Sequence, residues 1–162
     1  MSPRVTAMEI IPLGTQAQHA EPLAALHAAE WGHLYAGWNA TTVLAEFAAQ
    51  QSDGRLPTTL IAVAGASLLG SVSLIFDDLP GWEELNPWLA SFYVLPDYRR
   101  AGIGAQLLNA AEETLRSQGF ATAYLFTETR IGYFAAHGWL TYKQTSIVDL
   151  PITIMQRSLA PR

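Results

Sequence analysis

Phe92-Tyr93-Val94-Leu95-Pro96-Asp97-Tyr98-Arg99-Arg100-Ala101-Gly102-Ile103-Gly104-Ala105 is the stretch on which the fold turns. Trp88–Val94 reads as a strand opened by Pro87, and after the turn Ile103, Leu107, Ala111 and Leu115 recur four residues apart. That spacing marks one face of a helix over Gly102–Gln118, which Gly119 can end. A strand therefore runs through a cationic, glycine-containing turn straight into a helix. The first N–H groups of a helix have no internal partner and stand at the positive end of its dipole, so such a turn can hold phosphate. Gly102 and Gly104 let the main chain approach the oxygens with no Cβ between. Arg99 and Arg100 add fixed positive charge beside Ala101 and Ile103. A glycine pair before a helix also serves close packing, so spacing has to narrow the choice. No Gly-Lys-Ser/Thr completes a P-loop, and the third glycine of a dinucleotide fingerprint is missing. What remains is R-x-x-G-x-G, formed by Arg99, Gly102 and Gly104.

Outward from this segment, Thr58–Ala64 and Ser67–Phe76 are β-rich runs joined by Gly65-Ala66 and predict a hairpin. Asp77–Asn86 is a turn-rich loop. Thr6–Leu13 predicts a first strand, and Glu21–Tyr35, with Leu23, Leu26, Trp31 and Leu34, predicts a helix after Pro22. Thr42–Gln50 predicts a second helix beyond the Gly37-Trp38-Asn39 break. Downstream, Ala121–Phe126 reads as a strand and Ile131–Ala136 as a short helix closed by His137-Gly138. Trp139–Tyr142 and Ile147–Met155 read as the last two strands, with Pro151 at an edge or bulge because it has no ladder N–H to donate. The order β-α-α-β-β-β-α-β-α-β-β, with no internal repeat or linker, predicts one mixed α/β domain over residues 1–162.

Composition agrees with a globular protein: of 162 residues half are apolar and 14% charged, which leaves no long disordered segment. Apolar runs fall far short of the roughly 20 residues of a membrane span. Met1-Ser2-Pro3-Arg4 opens no secretory signal, so the expectation is a cytoplasmic protein with no membrane partner. The absence of cysteine excludes disulfides, thiolate metal sites and a cysteine nucleophile together. A net charge of −5 argues against general nucleic-acid binding and is compatible with a cationic substrate. His, Asp and Glu show no metal-ligand spacing, so no metal is expected, and no G-x-S-x-G elbow supports a serine hydrolase.

With its R-x-x-G-x-G turn after a strand, the chain resembles the GNAT superfamily of acetyl-CoA-dependent N-acetyltransferases, whose pyrophosphate signature is [Q/R]-x-x-G-x-[G/A]. Tyr133-Phe134-Ala135-Ala136-His137-Gly138-Trp139 is similar to a second landmark of that family, an aromatic pair followed by Gly-aromatic. The resemblance covers almost the whole chain. It implies a mixed central sheet of about seven strands flanked by about four helices. It further implies acetyl transfer from acetyl-CoA directly to the amine of a small molecule or of a peptide N-terminus. A possible homodimer through the last strands or helices is a further implication. Phe92, Tyr93 and Val94 would offer main-chain groups to the pantetheine arm. The turn from Arg99 and Arg100 through Ala101, Gly102, Ile103 and Gly104 to Ala105 would hold the pyrophosphate, and a β-strand N–H around Val94 would face the oxyanion.

The chain departs from the family at two points. Many members carry, four residues before the glycine of Gly-aromatic, a tyrosine that protonates the leaving thiolate, and here that position is Phe134. Tyr133, one residue and about 100° of helix away, is the candidate general acid, against a reading as a packed ring. The usual asparagine after the fifth strand is replaced by Thr127, a candidate cofactor contact. Glu30 is a candidate base, against a reading as a solvated helix residue. His33 and Tyr35 fall where the family usually lines its acceptor site. The Asp77, Asp78, Glu83 and Glu84 loop would border the same groove. His137 is expected to cap helix carbonyls, while His19 and His27 stand without companions in the sequence. Phe134 also supports an alternative reading, a module that binds acyl-CoA without transferring the acyl group.

Overall fold

The expected first strand forms over Glu9–Pro12 (β1) in the computed structural model, which describes residues 7–160 and so leaves Thr6 outside the described residues. Two helices follow, Ala20–Trp31 (α1) and Ala40–Ala48 (α2). The first stops four residues short of the predicted Tyr35. Gly32, still helical at φ −59° and ψ −23°, donates its N–H to the Ala28 carbonyl at 2.9 Å and closes the helix, and the chain turns beyond it. Asn39 restarts the helix, its side chain accepting the Thr42 N–H at 2.9 Å. The hairpin is Thr58–Ala64 (β2) and Ser67–Ile75 (β3), followed by Trp88–Val94 (β4) and Ile103–Ser117 (α3). Thr122–Thr127 (β5), Ile131–Ala136 (α4), Leu140–Ile147 (β6) and Leu150–Ser158 (β7) complete the described chain.

The last hairpin corrects the predicted boundaries. Trp139, read as a strand start, is 1% exposed and precedes the strand. The predicted strand Ile147–Met155 runs through a two-residue turn, Val148-Asp149, with φ of 42° and 65°. Positive φ at both positions is the type I′ geometry that suits the twist of a hairpin. Valine is a poor signal for that turn, which is why the sequence hides it. Pro151 pairs with Ser146, beyond the end of the β5 ladder at Thr127/Thr153, so no strand on that side needs its missing N–H.

The strands form one seven-stranded sheet in the order β1-β2-β3-β4-β5-β7-β6. All neighbours are antiparallel except β4 and β5, which are parallel. Alternation along β2 assigns its two faces: Leu60 and Ala62 join the core under α3, and Ile61 and Val63 join the core under α1. On the first face Leu107, Leu108, Ala111 and Leu115 of α3 meet Val72, Leu74 and Leu125 of the sheet. On the other, Leu23 packs against Ile61 and Val63. A third cluster, around Trp88 with Leu79, Leu85 and Ile154, closes the near end of β4 and β5.

Candidate functional site

Where β4 and β5 are joined and where they part decides the site. Their ladder holds at Trp88/Tyr124, and Tyr124 N–H donates to the Pro87 carbonyl at 3.0 Å. Beyond that point the ladder has no further pair, so the strands splay and leave main-chain groups of β4 without a neighbour on one side. A bulge starts the divergence. Ser73 pairs with Ala90 and Ser71 with Tyr93, so Ser91 and Phe92 together stand opposite Val72. Ser91 adopts φ 51°, an unusual value for a residue with a Cβ. Phe92, the second residue of the bulge, and Tyr93 and Val94 beyond it lie along the open side of the cleft.

The turn after β4 is built as its glycines suggest, with one difference. Pro96–Tyr98 makes a 3₁₀ turn, Arg100 takes φ 67°, and Gly102, at φ 81°, stands at the α3 N-terminus, which no side chain caps among the described residues. A Cβ at Gly102 would meet nothing within 4 Å, so glycine is needed there for its backbone conformation. At Gly104 the need is space: a Cβ would lie 2.7 Å from the Tyr133 hydroxyl and 3.2 Å from Phe92 Cζ. The expected reason, clearance for a bound anion alone, is therefore incomplete, because a protein side chain fills the space over Gly104. Arg99 turns back instead of outward. Its Nε donates to the Val94 carbonyl at 2.8 Å and its guanidinium lies 5.4 Å from the Tyr93 ring centroid, bracing the turn against β4. Arg100 and Ala101 are exposed, and Ala105 is part-buried on the first turn of α3.

The aromatic pair of α4 divides its labour. Phe134 is 6% exposed, packed edge-on to Phe92 and Trp139 in the core. Tyr133, part-buried, reaches over Gly104, with its ring against Phe92 and 4.8 Å from the His137 ring. Burial raises the Tyr133 phenol above its ordinary range, with the Arg130 charge opposing. His137 contributes this ring contact to Tyr133, and the α4 end is closed by its backbone N–H. Thr127 lies in the same cavity, 8% exposed, and its hydroxyl accepts the Arg130 N–H at 2.9 Å, which anchors the start of α4.

One cavity of about 1310 Å³ takes in the cleft, the α3 N-terminus and a far end made by α1, α2 and the loop after β3. The far end is aromatic and acidic. Trp31, Tyr35 and Trp38 line it with Glu46 and Asp78. Tyr35, released from α1, donates its hydroxyl to Asp78 Oδ1 at 3.2 Å and so ties the α1–α2 segment to the loop after β3. Burial pushes the Asp78 carboxyl up to about 7, the Tyr35 hydrogen bond opposing and the Glu46 charge assisting. Among the described residues, neither Asp78 nor Glu46 has a Lys or Arg partner. Glu30, the base expected from sequence, lines the cavity from the exposed end of α1. His33 Nε2 pairs with Glu128 at 3.0 Å. Asp77 and Glu83 stand exposed at the rim. Sequence reasoning placed Tyr35 and Asp78 near the acceptor groove but missed their contact, which joins positions 43 residues apart.

Among the described residues no group of three or more His, Asp or Glu is placed to hold a metal ion, and no helix is long and apolar enough to cross a membrane.

Comparison with known proteins agrees with this architecture. Residues 23–140 match the model of the acetyltransferase (GNAT) family. No curated protein matches the chain by sequence. An aminoglycoside 6′-N-acetyltransferase complexed with coenzyme A is 18% identical, with a TM-score of 0.74 over 97% of this chain and 99% of its own. The Salmonella typhimurium protein yncA, crystallised with its cofactor acetyl-CoA, is 18% identical at a TM-score of 0.73 over 97% and 96%. Ard1 from Thermoplasma volcanium is 14% identical at 0.73 over 96% and 100%. These likenesses are of fold.

Proposed function

The chain belongs to the acetyltransferase (GNAT) family, and from that premise we propose that it transfers an acetyl group from acetyl-CoA directly to the amine of a small cationic molecule, or of a peptide N-terminus. The observation that carries this reading is the single cavity joining an uncapped helix N-terminus at one end to an acidic, aromatic pocket at the other. The amides of Gly102, Ile103, Gly104 and Ala105, with Arg100 beside them, would take the pyrophosphate, and the open edge at Phe92–Val94 would take the pantetheine arm as an added strand. Arg99 serves by bracing the turn, and Thr127 by holding the start of α4.

At the far end, an ammonium group fits the charge of Asp78 and Glu46 and the faces of Trp31, Tyr35 and Trp38. Asp78 is the proposed base, in preference to Glu30, because it is half-buried, hydrogen-bonded to Tyr35 and free of any cationic partner among the described residues. The ammonium gives one proton to the Asp78 carboxylate, and the neutral amine attacks the thioester carbonyl. A main-chain N–H of β4 around Val94 supports the oxyanion. The C–S bond then breaks, and the thiolate takes its proton from water or from the amide-forming nitrogen. Tyr133 remains a candidate acid, but its hydroxyl sits over Gly104 at the anion end of the cleft, which favours a contact with the bound cosubstrate over protonation of sulfur.

Thiol release, measured across a panel of polyamines, amino sugars and peptides in the presence of acetyl-CoA, tests the proposal. Turnover with at least one cationic amine is expected. Tight coenzyme A binding by calorimetry with no turnover on any amine would instead support a binding module.

A further inference from the structure

His27, buried in α1 at 1% exposure, takes no part in the proposed transfer. Its Nε2 stands 2.8 Å from the Ser71 hydroxyl of β3, and that hydroxyl donates to the Ser91 carbonyl of β4 at 3.3 Å. The direction of the chain follows from its end. The Ser91 carbonyl can only accept, so the single Ser71 proton goes to it, and Ser71 must then accept from His27. His27 is therefore the neutral tautomer with hydrogen on Nε2. Its Nδ1, which has no partner among the described residues, is an acceptor, so no N–H of the ring is left orphaned. Burial lowers its pKa to about 3, which keeps the ring neutral at any working pH. The ring is gripped edge-on by Trp31 and Phe47, at centroid distances of 5.2 and 5.6 Å.

Ser91 is the residue at which the bulge turns, with φ 51° and no register partner in β3. A carbonyl outside the ladder and near the core needs a donor. The chain from His27 supplies one, and it links α1, β3 and β4 at the point where the cleft begins.

We propose that His27 and Ser71 are positioning residues that lock the Ser91 bulge and thereby set the main chain of Phe92–Val94 in place for the acyl-CoA arm. The inference rests on the acetyl-CoA reading, and the experiment keeps the two apart. Calorimetry with coenzyme A on the wild type tests that reading first, since no binding there defeats the function and not the lock. The informative variants are His27→Gln, which keeps a donor near the Nε2 position, His27→Phe, which keeps the ring and loses the donor, and His27→Phe/Ser71→Ala, which removes both polar partners together. The double variant leaves no orphaned donor in the core but takes the donor from the Ser91 carbonyl, so it should fold with a Tm lowered by about 2–10 °C. Its Kd for coenzyme A should rise about tenfold, with a matching rise in KM for acetyl-CoA, while KM for the amine moves less than twofold. His27→Gln should stay within about threefold of the wild-type Kd, and His27→Phe should fall between it and the double variant. A folded double variant that binds coenzyme A within twofold of the wild type overturns the proposal. Equal affinities for His27→Gln and His27→Phe overturn it as well.

Discussion

Gly104→Ala tests the packing at the centre of the site. The new Cβ would stand 2.7 Å from the Tyr133 hydroxyl oxygen and 3.2 Å from Phe92 Cζ, with Tyr133 Cζ next at 3.7 Å. Two opposed effects result. Alanine in the first turn of α3 gains up to about 1 kcal/mol over glycine in helix propensity. Forcing a methyl against the phenol costs about 1–3 kcal/mol, because the Tyr133 ring is itself wedged between Phe92, Phe134 and His137. The net loss is then about 0–2 kcal/mol, or up to about 4–8 °C in Tm for a protein of this size. Tyr133→Phe removes the oxygen that is struck and leaves Phe92 Cζ, at the tight but yielding distance of 3.2 Å, as the nearest atom. In that background the propensity gain should dominate, so the pair should couple by about 1 kcal/mol or more. Urea denaturation of the wild type, both single variants and the double variant measures the cycle directly. If Gly104→Ala costs the same with and without Tyr133→Phe, the hydroxyl does not occupy the space over Gly104 and the reasoning fails. The same four proteins, titrated with coenzyme A, should show weaker binding in both Gly104→Ala variants.

Asp78→Asn should lower kcat by about 10²–10⁴ and abolish the acid limb of the pH profile, which in the wild type falls as pH drops through about 7. The folded carboxyl titrates above its unfolded value near 3.9, so its contribution to stability is complete below about pH 4 and lost as pH rises towards 7. Asp78→Asn should therefore raise Tm more at pH 8 than at pH 5, and scanning calorimetry at the two pH values checks the sign. Arg157→Ala removes the partner of Glu112, which is 6% exposed, and also a 2.9 Å bond to the Gly138 carbonyl at the end of α4. Leaving that carboxylate buried and unpaired should cost about 3 kcal/mol, read by urea denaturation, and Glu112→Leu/Arg157→Met should recover most of it.

Local periodicity and residue chemistry specify a large part of this protein before any tertiary contact forms. The four-residue spacing of Ile103, Leu107, Ala111 and Leu115 defined the buried face of α3. R-x-x-G-x-G after a strand pointed to the family and hence to the seven-stranded sheet, whereas the left-handed backbone at Gly102 came from the structure. Even the departure at Phe134 was visible, since it depends on one residue's identity. The Val148-Asp149 turn was not, because valine at its first position is disfavoured at positive φ and the sheet on either side imposes the register. Tertiary structure alone decided which residues meet. His27 and Ser71 are 44 positions apart, and Tyr35 and Asp78 are 43. No pattern within one element encodes such contacts, since they follow from how α1 packs across the sheet and where the loop after β3 folds back. The raised carboxyl of Asp78 has the same origin, because desolvation belongs to the neighbours that surround a side chain and not to the side chain itself.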